Sequence, residues 1–173
     1  METRTLPRVV IPGALWLLAF AIVGCTYDAP LSGPQSRPVD SQLFGVWRAI
    51  DEDADEPPTT MIVLPFSSTE YLIHYPTATD DSNYFRGYPI EVAGVTCVQL
   101  ELLGTHNGRD TTKTPFTVAL YSLRGDTLEV RTLNESLVSA DLSGTEALAE
   151  AFAKHASDPE LFHNPGRFKR VTE

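Results

Sequence analysis

Cysteine is nearly missing from this chain, which has only Cys25 and Cys97 among its 173 residues. The two cysteines do not form a CxxC motif, which argues against a redox-active thiol pair. For Cys97 the sequence predicts a small buried apolar side chain, with a reactive thiol as the alternative. The interpretation of Cys25 depends on the residues that precede it.

Motifs of catalysis and nucleotide binding are also absent. The chain has no G-x-S-x-G elbow, no H-E-x-x-H motif, no Walker loop and no dinucleotide fingerprint. Asp51, Asp53 and Asp55 have the initial spacing of a calcium loop. However, Glu56 and Ile62 stand where such a loop needs glycine and glutamate, so the run is interpreted as a solvated acidic loop. We therefore expect no enzyme, no metal site and no cofactor.

Basic residues are few, with 13 Lys and Arg against 23 Asp and Glu and a net charge of −10. Lys and Arg supply most of the affinity for nucleic acids and for anionic membrane surfaces, so this balance argues against both as partners. Removal of residues 1–24 would leave 11 basic and 22 acidic residues, a net charge of −11. The remaining chain would be more acidic still.

One long apolar run occurs, at residues 9–23, and Arg4 and Arg8 precede it. A helix of this length covers about 22 Å, less than the ~30 Å hydrocarbon core of a bilayer. Pro12 and Gly13 would further weaken a permanent span. The order of basic segment, apolar run and small-residue site predicts a secretory signal peptide, with an uncleaved transmembrane anchor as the alternative.

The run ends in Ile22-Val23-Gly24-Cys25, which resembles the lipobox of bacterial lipoproteins. The resemblance implies that Cys25 Sγ receives a diacylglyceryl group and that the bond between Gly24 and Cys25 is cut. Several acyl chains on one residue make dissociation from the membrane negligible. Thr26, rather than Asp, after the cysteine implies the outer membrane, with the protein facing the periplasm. We therefore expect a cell-envelope protein whose membrane partner is reached through the lipid on Cys25.

The chain is predicted to have three parts. Residues 1–24 form the signal peptide, residues 25–40 the lipidated cysteine with a linker, and residues 41–173 a single β-barrel-like domain. The linker prediction is based on Pro30, Pro34 and Pro38 and on the scarcity of bulky apolar side chains around them. In polyproline II form such a segment could reach about 45 Å.

Apolar and polar residues alternate along much of 41–173, as they do in strands with one buried face. Strands are predicted at 45–50, 60–64, 70–75, 84–92, 98–102, 116–123, 128–131 and 167–171. A helix is predicted at 143–157, where Ser143 and Glu146 have the spacing of a capping box. The predicted fold class is mainly β: an antiparallel meander closing into a barrel or half-barrel, with one C-terminal helix and a final short strand.

The first predicted strand begins with Gly45-Val46-Trp47, which resembles the Gly-x-Trp signature of lipocalins and related calycin barrels. The resemblance implies an eight-stranded barrel whose closed end is plugged by Trp47. It also implies that a basic residue near the last strand, Arg170 or Lys169, covers that ring. The second motif of the family, a Thr-Asp pair followed by a Tyr, has no match at 121–126.

Two classes of non-catalytic function stay open. A binding module would keep an apolar cavity for a hydrophobic or small ligand. The side chains expected to line it are Tyr71, Ile73, Val98, Leu100, Leu128 and Val130. An interaction protein would instead fill the interior and use its surface to engage another envelope protein. The stretch 86–103 is similar to hairpins of small uncharacterised envelope lipoproteins, which implies no activity.

Overall fold

The computed structural model describes residues 26–50, 59–78, 81–106, 108 and 115–172. A short 3-10 helix at Ser41–Leu43 precedes the first strand. The strands are β1 (Gly45–Ala49), β2 (Thr60–Pro65), β3 (Tyr71–Ala78), β4 (Asp81–Val92), β5 (Val95–Thr105), β6 (Phe116–Arg124), β7 (Thr127–Leu133) and β8 (Phe162–Arg170). Helix α1 (Thr145–Lys154) lies between β7 and β8.

The strands form a closed antiparallel barrel in sequence order, with β8 paired back to β1. This confirms the predicted fold class. The alternation along β5 shows why the sheet can close, since Val98 and Leu100 belong to the cluster inside the barrel and Cys97 belongs to a cluster outside it. Closure pairs every strand on both sides and removes the free edges that an open sheet would expose.

The two ends of the barrel differ in what they carry. The Trp47 end has the starts of β1, β3, β5 and β7 and the two-residue turns that join β4 to β5 and β6 to β7. One of these turns, between β4 and β5, contains Ala93 (φ 51°) and Gly94 (φ 79°), the left-handed conformations that a two-residue hairpin requires. The other end has the starts of the even-numbered strands and the connection that contains α1. It is named the Tyr27 end, because Tyr27 is hydrogen-bonded there to Phe116, the first residue of β6.

Two apolar clusters stabilise the fold. The first fills the barrel, and its most completely buried rings are Trp47, Tyr71 and Phe168. The second lies on the outer face of β4, β5 and β6. Helix α1 covers part of this outer cluster with Leu148 and Phe152, which are 1% and 0% exposed. The barrel is therefore packed on both faces over this part of the sheet.

Residues 26–40, named here the N-terminal strap, also cover the outer cluster, so the prediction of an extended linker is wrong for them. Tyr27 and Leu31 are only 2% and 3% exposed. The backbone of Tyr27 exchanges two hydrogen bonds with Phe116, of 2.8 and 2.9 Å, and its hydroxyl donates to the carbonyl of Val138 at 2.9 Å. The prolines stiffen the segment, but these two apolar side chains attach it to the barrel.

The strap runs along the outside of the barrel from one end to the other. Its hydrogen bonds, in chain order, join Tyr27 to Phe116, Leu31 to Gln99, Gln35 to Glu91 and Val39 to Ser68. Gln99 is fully buried and has both side-chain groups satisfied, because its oxygen accepts from Leu31 N–H at 2.8 Å and its nitrogen donates to the Thr117 carbonyl at 3.1 Å. Residues 26–40 therefore pack as part of the folded domain.

Helix α1 is shorter than predicted and lacks the predicted capping box. Its N-cap is Gly144 (φ 87°), and no side chain caps the first turn. Ser143 is therefore not the cap, because the left-handed turn at Gly144 directs the chain into the helix one residue later. Within the described residues, no helix is long and apolar enough to cross a membrane.

Strand β8 begins five residues earlier than the predicted strand at 167–171. The sequence Asn164-Pro165-Gly166 contains residues that usually interrupt a strand, yet it lies within β8. Asn164 takes a left-handed conformation (φ 51°), and the pairing of β7 with β8 shifts between Val130 and Thr132. A β-bulge absorbs the irregular residues, so the strand continues.

Candidate binding cavity in the barrel

Trp47 closes one end of the barrel interior. Its side chain is fully buried, and its indole N–H donates to the carbonyl of Leu43 at 2.8 Å. The 3-10 helix at Ser41–Leu43 positions this acceptor immediately before β1, and the Leu43 side chain is buried in the same interior cluster as Trp47. A buried indole whose polar atom is paired fills space without an unsatisfied donor.

Arg170 covers the Trp47 ring from the last strand. Its guanidinium carbon lies 4.1 Å from the ring centroid, within the range of a cation–π contact. The same group donates to the carbonyls of Phe44, at 2.7 Å, and Gln42. Gly45 (φ 135°) makes room for it, since a Cβ at this position would lie 2.9 Å from Arg170 Nη1. Lys169 instead pairs with Asp126 on the surface, at 3.3 Å.

Beside the plug lies an apolar cavity of about 70 Å³. All six side chains expected from the sequence line it: Tyr71, Ile73, Val98, Leu100, Leu128 and Val130. Seven further lining residues were not predicted from the sequence: Leu43, Met61, Val63, Tyr75, Phe85, Ala119 and Tyr121. Most of these could have been found by continuing the alternation, since Val63 and Phe85 are the register partners of Ile73 on the two neighbouring strands.

Asp40, the last residue of the strap, connects to two tyrosines of the cavity wall. Its backbone N–H donates to the Tyr71 hydroxyl oxygen at 2.7 Å, and its carboxylate accepts from the Tyr121 hydroxyl at 3.3 Å. Burial raises the pKa of both phenols, and for Tyr121 the nearby Tyr71 and Asp40 raise the pKa further. Both therefore stay protonated near neutral pH, and the strap satisfies their polar groups.

The cavity is not completely sealed. Ile73, Phe85 and Val130 point into it but are only partly buried. The Trp47 end is covered by Leu43, Trp47 and Arg170, which the hydrogen bonds above hold in place.

Cys97 is 1% exposed and lies in the outer cluster. Burial raises the pKa of its thiol to about 12, so the reactive thiolate is not formed near neutral pH. The prediction of a buried apolar cysteine is confirmed. In the part of the chain that the structure describes, no group of three His, Cys, Asp or Glu side chains is placed to hold a metal ion.

Some predicted sites lie outside the described residues. These are the signal peptide at 1–24, the cleavage site at Gly24 and Cys25, the lipid attachment at Cys25, and the acidic run with Asp51, Asp53 and Asp55. The calcium-like spacing and the lipobox therefore stay predictions from sequence.

No protein-family model matches the chain, and neither a curated protein nor a solved structure matches it significantly. The resemblance to calycins stays a prediction that is based on residues 45–47 and on the order of the elements.

Proposed function

We propose that this protein is a non-catalytic lipoprotein of the bacterial cell envelope whose barrel interior binds a narrow apolar group, such as the end of an alkyl chain. The lipid on Cys25 would tether it, and the lipocalin-like barrel would be the binding module. Membrane attachment is inferred from the lipobox-like sequence, and ligand binding is inferred from the cavity.

The observation that carries the binding proposal is the apolar cavity beside Trp47. Side chains of Ile, Leu, Val, Met, Ala and aromatic residues form its walls, and two of its three tyrosine hydroxyls, those of Tyr71 and Tyr121, are paired with Asp40. An apolar cavity stays dry, and transfer of an apolar group from water into it lowers the free energy of the system.

The cavity volume limits the size of the ligand. Pockets for drug-sized ligands are about 300 to 1,000 Å³, and an engineered cavity of about 150 Å³ holds benzene. A cavity of about 70 Å³ accepts a group of a few carbon atoms without rearrangement. A carrier of a whole hydrophobic ligand, the alternative function, would need the barrel to widen.

A second candidate is an interaction protein that engages another envelope protein. Most of the interior is filled by side chains, as this class requires. Leu64 and Phe66, separated by one residue near the β2–β3 turn, are 47% and 57% exposed. Adjacent exposed apolar side chains are a feature of protein interfaces.

Thermal unfolding with straight-chain alcohols and fatty acids of increasing length tests the binding proposal on the chain 26–173. For a bound chain at about 100 times its Kd we expect a stabilisation of about 2.7 kcal/mol, or a rise in Tm of roughly 5 to 10 °C.

Two variants separate the cavity from the surface. Ala119→Leu adds carbon atoms inside the cavity and should abolish the shift, whereas Val130→Ala enlarges the cavity and should favour longer chains. Ser122→Leu, an exposed position on the same strand as Ala119, is the matched control and should leave binding unchanged. Absence of a shift with every chain length would contradict ligand binding and favour the interaction class.

A further inference from the structure

The contact of the strap with the barrel limits the length of chain between the folded domain and Cys25. Tyr27 is 2% exposed and is held by two backbone hydrogen bonds to Phe116 and one side-chain bond to Val138. Cys25 precedes it by two residues, which span at most about 7 Å even when fully extended. An acyl chain on Cys25 would therefore start next to the barrel surface and not at the end of a 45 Å spacer.

These contacts also show at which end of the barrel the N-terminal part of the strap is attached. Phe116 is the first residue of β6, and Val138 follows the end of β7, so both lie at the Tyr27 end. From Tyr27 the strap runs toward the Trp47 end, where Val39 N–H donates to the Ser68 carbonyl at 3.1 Å. The whole length of the barrel thus separates the site of lipid attachment from the plug.

We infer that the lipid anchor holds the barrel directly against the bilayer, with the Tyr27 end facing the lipid and the Trp47 end facing away. This inference rests on the proposed lipidation of Cys25. The partner of the Tyr27 end is a lipid surface. The plug formed by Trp47 and Arg170 then closes the side that faces the aqueous compartment.

Charge does not supply this orientation. Exposed residues near Tyr27 include the acidic Asp28, Glu135 and Asp141, and the mature chain has a net charge of −11. Anionic lipid would repel such a surface. The short tether alone fixes the geometry, so the orientation should persist in neutral lipid and at high salt, where exposed charges are screened.

Two fluorophore positions test the orientation on the full-length lipidated protein in phosphatidylcholine vesicles that contain a small fraction of acceptor-labelled lipid. Ser136→Cys places a label at the Tyr27 end, and Arg124→Cys places one at the Trp47 end; both positions are exposed. Cys97 does not react, because it is 1% exposed. We expect efficient energy transfer from the label at position 136 and much weaker transfer from the label at position 124. The two positions are separated by about 20 to 25 Å along the barrel axis, because the strands are tilted.

A flexible spacer is the matched control. About 15 Gly and Ser residues inserted between Cys25 and Thr26 give a mean reach of about 20 Å and should remove the difference between the two labels. Equal transfer from both labels without the spacer, or stronger transfer from position 124, would overturn the orientation while leaving the anchor intact. Absence of fatty acid on Cys25, read by mass spectrometry of the same sample, would overturn the proposed membrane anchoring as well.

Discussion

Trp47 has a structural role that can be measured apart from any ligand. The ring is fully buried, hydrogen-bonded to Leu43 and covered by Arg170. Truncation of a large buried aromatic side chain costs about 3 to 5 kcal/mol, because it removes apolar contacts and leaves a cavity. We expect this loss for Trp47→Ala in urea unfolding of the chain 26–173, followed by circular dichroism.

A nearby exposed residue provides the control for this experiment. Ile50, just beyond the end of β1, is 46% exposed, and Ile50→Ala should change the free energy of unfolding by less than about 0.5 kcal/mol. A loss below about 1 kcal/mol for Trp47→Ala would show that the side chain does not plug the barrel.

Because of Tyr27, the free energy of unfolding should depend on pH in the alkaline range. Burial raises its pKa from 10.0 to about 12. Between these values the unfolded chain has lost the phenolic proton and the folded chain retains it, so the free energy of unfolding falls as pH rises. One such proton gives a slope of up to about 1.4 kcal/mol per pH unit.

The variant Tyr27→Phe tests this assignment. It should cost about 1 kcal/mol at pH 8, because the Val138 carbonyl loses its donor, and it should flatten the decline above pH 10. Urea unfolding at several pH values from 8 to 11 is the measurement. An unchanged slope would show that other tyrosines cause the alkaline loss.

Individual interior residues were predictable from the sequence where apolar and polar residues alternate along a strand. The six lining residues belong to short alternating runs, and each run predicts which of its side chains share a face. The contact of Asp40 with Tyr121 joins positions separated by 81 residues, and no local pattern indicates it. The assignment of Arg170, rather than Lys169, required the register of β1 with β8.

At the scale of elements, the strap is part of the folded domain. Removal of residues 26–40 would uncover the outer cluster and leave Gln99 without the N–H of Leu31. Burial of one large apolar side chain contributes about 1.5 to 3 kcal/mol, so the loss of Tyr27 and Leu31 should cost about 3 to 6 kcal/mol. We expect this difference between the chains 26–173 and 41–173 in urea unfolding.

The exposed Pro34 within the strap supplies the comparison variant, and Pro34→Ala should shift stability by less than about 0.5 kcal/mol. Equal stability of the two chains would mean that the strap contributes little and that the domain begins near residue 41 after all.

The strands were predicted well and the irregular elements poorly, for physical reasons. A strand repeats its signal every two residues, whereas the strap is attached by Tyr27 and Leu31, two isolated side chains in a proline-rich segment. The start of α1 and the start of β8 depend on left-handed residues, Gly144 and Asn164, whose conformations are set by tertiary packing. The spacing of Tyr27 and Leu31 was the one available signal for the strap.

At the scale of the whole molecule, a closed barrel is covered along its outside by the strap, which begins at Thr26, one residue after Cys25. Within the described residues, closure of the sheet buries one apolar cluster, and the strap and α1 cover part of the other. In our proposal, the residues that precede Thr26 attach the protein to a membrane. The lipobox-like sequence supplies this attachment in our proposal.

Fatty-acid labelling of Cys25 tests the central claim, that the protein is a lipid-anchored barrel, most directly. Cells of a bacterial host that express the full chain are grown with radioactive palmitate, and the protein is isolated and counted. We expect label on the natural chain and on Cys97→Ser, and none on Cys25→Ser, because the thioether needs the Cys25 thiol. Label that persists in Cys25→Ser, or a natural chain that is exported without label, would contradict the account.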